Sequence, residues 1–133
     1  MAKHTACHIQ LPEKFSIAME IVINLLASIE FSPINPYFNK IHTFNRYGNE
    51  IFLDSITIND ILEKKISLIN FWKTKSSNFV LKWTINDKVC CFEFSEIDDC
   101  NLSLLAHRAI IDILPKYRFI KDFLVIGNIN SYY

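Results

Sequence analysis

Residues 79–95 run Phe79-Val80-Leu81-Lys82-Trp83-Thr84-Ile85-Asn86-Asp87-Lys88-Val89-Cys90-Cys91-Phe92-Glu93-Phe94-Ser95. Phe79, Leu81, Trp83 and Ile85 alternate with Val80, Lys82 and Thr84, and a period of two marks a strand with one buried face. Asn86, Asp87 and Lys88 supply a turn, and 89–95 alternates again. With Ile85 opposite Cys90, Trp83 meets Phe92 and Leu81 meets Phe94 on one face, while Lys82 meets Glu93 on the other. A slip of one residue would bury the charges, so both faces fix the register together. On this reading Trp83 belongs to the core.

Outward from the hairpin, 66–73 is apolar on both faces and adds a strand, giving a meander over about 66–95. Beyond it, Asp98 or Asp99 caps a helix at about 99–114. Leu102, Leu105, Ala106, Ala109, Ile110 and Ile113 form its stripe, and Pro115 ends it. Aromatic and β-branched residues at about 117–126 suggest a further strand, although Gly127 could equally cap a short helix. Upstream, Thr57 with Asp60 three residues on opens a short helix to about Lys64, and 50–53 is a short strand. The stretch 31–49, rich in Asn, Pro and aromatics, is expected to be a loop with at most a helical turn near 36–41.

From Pro12, the residues Phe15, Ala18, Met19, Val22, Leu25, Leu26 and Ile29 recur at helical spacing, and Pro33 forbids continuation past about Ser32. Ile17, Ile21 and Ile23 widen the stripe, so this helix is expected to be covered on more than one side. Residues before it read as a frayed end. The order gives an α+β class: an antiparallel sheet of three to four strands packed against a long N-terminal helix and the 99–114 helix, in a single domain 1–133.

Composition narrows the function. The chain has 133 residues, half of them hydrophobic and 21% charged, which suits one packed core. Fourteen basic residues balance fourteen acidic ones, so no general attraction to nucleic acid or anionic membrane is expected. Two glycines, Gly48 and Gly127, cannot build a phosphate cradle. The longest apolar stretch, 15–29, falls short of the roughly 20 residues of a membrane span. Cys7, Cys90, Cys91 and Cys100 include an adjacent pair that would point to opposite strand faces, so four reduced thiols and a cytoplasmic location are expected.

Four constellations invite chemistry. His4, Cys7 and His8 are close in sequence but lack zinc-ligand spacing, so no metal or other cofactor is expected. Cys100 with His107 and Asp112, or Cys91 with His42, could be nominated for thiol catalysis; Cys100 and His107 stand about 10 Å apart along one helix, and no catalytic residue is assigned. Lys64, Lys65, Lys73, Lys75, Lys82 and Lys88 interleave with Phe71, Trp72, Phe79 and Trp83, a pattern some RNA-binding sheets share, here attributed to a solvated surface beside an aromatic core. Glu93, Glu96, Asp98 and Asp99 put four acids in seven residues. Such a turn can cap a helix or receive a basic partner. Tyr37 and Tyr47, with the terminal Tyr132 and Tyr133, are aromatic anchors of the kind interfaces use.

In size, in its Ile-, Asn- and Lys-rich composition and in the helix-first order ending in Phe92-Glu93-Phe94-Ser95-Glu96 and a capped helix, the chain resembles the small cytosolic immunity proteins of bacterial contact-dependent and polymorphic toxin systems. The resemblance spans the whole length without a diagnostic motif. It implies a non-catalytic module that binds and blocks a cognate toxin domain, often a nuclease with a basic active site. Glu93, Glu96 and Asp98 are then the first candidates for partner contact, and Tyr37 and Tyr47 the second. A small enzyme or toxin domain is the alternative, and a nucleic-acid-binding domain the third reading.

Overall fold

The computed structural model describes the backbone of residues 2–86, 88–117 and 124–131, and the side chains of 7–86 and 88–117. Along the chain lie β1 (Ala2–Leu11), α1 (Phe15–Ser28), β2 (Ile41–Asn45), β3 (Glu50–Leu53), α2 (Ile58–Glu63), β4 (Ile66–Thr74), β5 (Ser77–Ile85), β6 (Cys90–Ser95), α3 (Asp99–Asp112), α4 (Leu114–Tyr117) and β7 (Leu124–Ser131). The seven strands form one sheet in the order β3-β2-β4-β5-β6-β1-β7, with every pairing antiparallel. The class is therefore α+β, with a sheet larger than the three or four strands expected.

The hairpin pairs as the two-face argument requires: Ile85 with Cys90, Trp83 with Phe92, Lys82 with Glu93 and Leu81 with Phe94. Phe79, Leu81, Phe92 and Phe94 are wholly buried, whereas Trp83 is half-buried at the core's rim, its ring 5.9 Å from that of Phe15. Trp83 thus shares the core face without standing at its centre.

Two expectations fail by missing a strand, and a third places a strand too early. The supposed frayed end is β1, held between β6 and β7 with Cys7 opposite Phe94 and Ile9 opposite Phe92. Cys7, Ile9 and Leu11 are buried while His8 and Gln10 alternate away, so the segment carries its own period-two signal. Part of the 31–49 loop is β2, which joins β3 to β4. The last strand starts at Leu124 rather than near 117: Tyr117 closes the one-turn α4, and Gly127 lies inside β7 instead of capping a helix. Asp87, Tyr132, Tyr133 and residues 118–123 lie outside the described residues.

All the described helices pack on one face of the sheet. Ala18, Met19, Val22, Leu25 and Leu26 of α1, Ile61 of α2 and Leu102, Leu105 and Ala109 of α3 share a cluster with the inward residues of β1, β4, β5 and β6. A register shift between Phe44 and Asn45 lets both Ile66 and Ile69 of β4 turn inward. The helical stripes are narrower than the sequence suggests, since Ile17 and Ile110 stand in solvent. α1 stops where Glu30 takes φ +70°, with Glu30 N donating to the Ala27 carbonyl and Phe31 N to that of Leu26. This two-bond helix stop usually employs glycine. Thr57 and Asp60 form the expected reciprocal cap of α2.

Burial ranks the two aromatics of the central pair. Phe92→Ala should lower the melting temperature by more than about 10 °C, from a loss of about 3–5 kcal/mol, and Trp83→Ala by clearly less. Thermal melts of both variants test this, and equal losses would contradict the placement of Trp83 at the rim.

Candidate functional site

Strand alternation divides the sheet into a covered face and an open one. Outward on the open face point Phe52, His42 and Phe44 from β3 and β2, Leu68, Asn70 and Trp72 from β4, Val80 and Lys82 from β5, Cys91 and Glu93 from β6, and His8 from β1. None of the described helices crosses them, and Phe52 is 51% exposed. His42 and Phe52 stack with centroids 4.6 Å apart, and Phe38 meets His42 edge-on, so one end of this face is an aromatic cluster in contact with water.

Across the middle runs a cross-strand row, Phe44, Leu68, Lys82, Glu93 and His8. Its last two members border a recess of about 370 Å³ that Lys82, Thr84 and Cys91 also line. His8 sits between two partners: Nε2 is 3.9 Å from Glu93 Oε1, and Nδ1 is 3.9 Å from Cys91 Sγ. Burial, followed by the charge of Glu93, pushes the Cys91 thiol up. The Cys91 thiol therefore keeps its proton at neutral pH. Thiol catalysis needs a thiolate with its base in hydrogen-bond contact, and these separations are looser.

The nominated pair of Cys91 with His42 is not formed, because β4 and β5 lie between their strands. His42 has Glu50 at 3.9 Å instead. Sequence reasoning missed His8 as the partner of Cys91 because it discounted the strand that carries it. Cys7 turns into the core and His8 away from it, so those two cannot share a ligand. Among the described residues no three His, Cys, Asp or Glu side chains converge to hold a metal ion.

The acidic residues after the hairpin have separate roles. Glu96 is exposed at φ +66°, at the turn between β6 and α3. Asp98, rather than Asp99, caps α3: its Oδ1 accepts from Asn101 N at 2.9 Å, and its Oδ2 from Asn101 Nδ2 at 2.8 Å and Ser77 Oγ at 3.4 Å. Asn101 in turn accepts from Lys73 Nζ at 3.0 Å. The Asn101 backbone N–H is the largest influence holding the Asp98 carboxyl below its ordinary range. Asp98 therefore has structural work already, and Glu93 and Glu96 are the more available acids.

The two tyrosines occupy opposite ends of the sheet. Tyr37 donates to the Lys75 carbonyl at 3.2 Å, beside the same β4–β5 turn that Asp98 reaches through Ser77, and its ring meets Trp72 edge-on at 5.9 Å. Tyr47 stands at the β2–β3 turn, where its hydroxyl oxygen accepts from Arg46 Nη2 at 2.9 Å and Lys65 Nζ at 3.2 Å. Those two bonds hold its phenol below the usual tyrosine value. The five nominated residues thus do not form one patch: Tyr37, Glu96 and Asp98 gather at one end, Glu93 lies mid-sheet and Tyr47 is at the other end.

Comparison of the chain with protein-family models, with curated proteins and with solved structures finds no match. Among the described residues no helix is long and apolar enough to cross a membrane.

Asp98 is a stronger acid folded than unfolded, so its stabilisation is full above the ordinary carboxylate value of about 3.9 and is lost as pH falls through the lower folded value. Asp98→Ala should cost about 1 kcal/mol at neutral pH, and the gap from wild type should close in acid. Chemical denaturation at several pH values checks this; a gap that persists unchanged at the acid end would contradict it. All four cysteines are free thiols. In the native protein, exposed Cys100 should be labelled first and Cys7 last, because burial pushes the Cys7 thiol up to about 12. Mass spectrometry of partly alkylated protein gives the order, and early labelling of Cys7 would contradict the buried β1.

Proposed function

We propose that this protein is a non-catalytic protein-binding module that receives its partner on the open sheet face, and that the partner is a bacterial toxin domain which it neutralises as an immunity protein. The observation that carries the reading is the one-sided architecture. A broad antiparallel sheet with all its described helices on one face leaves Phe38, Phe52 and Trp72 in or near solvent, and the same face carries Lys82 and Glu93 further across the sheet. Exposed aromatic anchors with charged residues on the same face are what protein interfaces use for affinity and for partner choice. Its cytoplasmic placement belongs to the same proposal. The toxin-immunity part rests on the whole-length resemblance and on Glu93 and Glu96, which suit a basic partner cleft.

The test is co-expression with candidate toxin domains, starting with any encoded by a neighbouring reading frame. Phe52→Glu should abolish protection while leaving the melting temperature within a few degrees of wild type, because the ring is exposed. The pair Glu93→Lys and Glu96→Lys should slow association most at low salt. Should cells die equally with and without the protein, the immunity reading fails; should Phe52→Glu protect fully, the open face is not the interface.

One observation favours a second reading, a small thiol enzyme: the His8 contacts to Cys91 and Glu93 within a recess. That reading requires Cys91→Ala to abolish an activity that Phe52→Glu spares, whereas the binding reading requires the reverse.

A further inference from the structure

At the end of the sheet away from Tyr37, a groove of about 360 Å³ opens between α2, the β2–β3 turn and the ends of β4 and β5. Its floor is apolar, with buried Ile61 and Ile66 and the rings of Phe15 and Trp83. Leu62 and Ile85 line it with 55% and 54% of their surface in water. Arg46 and Lys65 stand at its rim, and Ser67 adds a hydroxyl. Among the described residues neither cation has a carboxylate at ion-pair distance; the four ion pairs lie elsewhere. Both cations converge instead on one neutral acceptor, the phenol oxygen of Tyr47. They also lie against its ring, at 5.1 Å for Arg46 and 5.6 Å for Lys65.

We infer that this groove is a binding site for a small amphipathic carboxylate, with an aromatic ring or short alkyl chain on the apolar floor and the carboxylate between Arg46 and Lys65. Charge-assisted hydrogen bonds to a carboxylate are about twice as strong as those to a neutral oxygen, so Tyr47 holds the place that a better acceptor would take. Tyr47 is 63% exposed on a surface turn and can swing out without disturbing the core. An apolar pocket with a few convergent polar groups is the usual form of a small-molecule site, and its volume lies within the usual range of about 300–1,000 Å³. The ligand's apolar body covers Leu62 and Ile85, the exposed side chains of the groove. The site requires no toxin partner; it adjoins the recess beside His8 and Glu93 through Ser67 and Trp83, which line both.

Trp83 reports occupancy directly. In a Trp72→Phe background it is the sole tryptophan, and 4-phenylbutyrate should change its emission saturably at concentrations up to about 1 mM. The neutral analogue 4-phenylbutan-1-ol and the headgroup alone, acetate, should each bind at least about tenfold more weakly, as should 4-phenylbutyrate to the Arg46→Ala, Lys65→Ala variant. Backbone amide NMR of the wild-type chain supplies the same titration without the Trp72 substitution, with shifts expected at Leu62 and Ile85. A second readout separates this mode from greasy adsorption. When the cations turn to the ligand, Tyr47 ionisation should move up toward the ordinary tyrosine value, measured by phenolate absorbance against Tyr47→Phe. The inference is overturned if the alcohol binds as tightly as the acid, if the double variant binds unchanged, if Tyr47 ionisation does not move, or if neither fluorescence nor NMR detects saturable binding.

Discussion

The placement of β1 between β6 and β7 is the constraint on which the rest depends. Alternation along a strand leaves one choice of face for each residue, and the β5–β6 hairpin makes that choice first, with Phe92 and Phe94 inward and Glu93 outward. β1 repeats it, setting Cys7 against Phe94, His8 against Glu93 and Ile9 against Phe92. Its other edge carries β7 in register from Ile9 opposite Leu124 to Ala2 opposite Ser131. Without β1, β7 would have no partner and β6 would be an edge strand.

One-sidedness follows from the same alternation. The inward side chains of β4, β5 and β6 and those of Cys7, Ile9 and Leu11 share one cluster with helix residues, so the hydrophobic requirement of these strands is met on that face. The open face mixes polar and aromatic residues and has no helical layer among the described residues. The site chemistry is sorted by position on that frame. The His8 contacts lie mid-sheet, the acidic turn and Tyr37 flank the β4–β5 turn, and the basic groove lies at the opposite end.

The sequence was most informative where one physical signal acted alone. The hairpin register was legible because Phe79, Leu81, Trp83 and Ile85 put an apolar residue at every second position while Lys82 and Glu93 fix the opposite face. The α2 cap was legible because Thr57 and Asp60 have the reciprocal spacing. β1 was hidden because the alternation of Cys7, Ile9 and Leu11 spans only a few residues and follows a polar start that resembles a loose terminus. β2 was hidden because its second inward residue is Thr43, a polar side chain satisfied in the core by donating its hydroxyl to the Leu68 carbonyl. A buried polar residue of this kind erases the hydrophobic pattern while its hydrogen bond removes the energetic objection. The candidate site was legible to the same degree: Glu93 could be placed on the polar face, but its neighbour His8 could not be, because that contact exists only through β1. The groove at Arg46, Lys65 and Tyr47 needs the β2–β3 turn and the start of β4 brought together, which no local pattern encodes.

The most direct test of this architecture is amide hydrogen exchange of residues 7–11 in the native protein. Paired with β6 throughout and with β7 as far as Ile9, this segment should exchange as slowly as 90–95 and should open with it in one cooperative unit. Exchange of 7–11 at the rate of an unstructured terminus, with 90–95 still protected, would show that β1 does not hold the sheet together and would remove the basis for the covered and open faces alike.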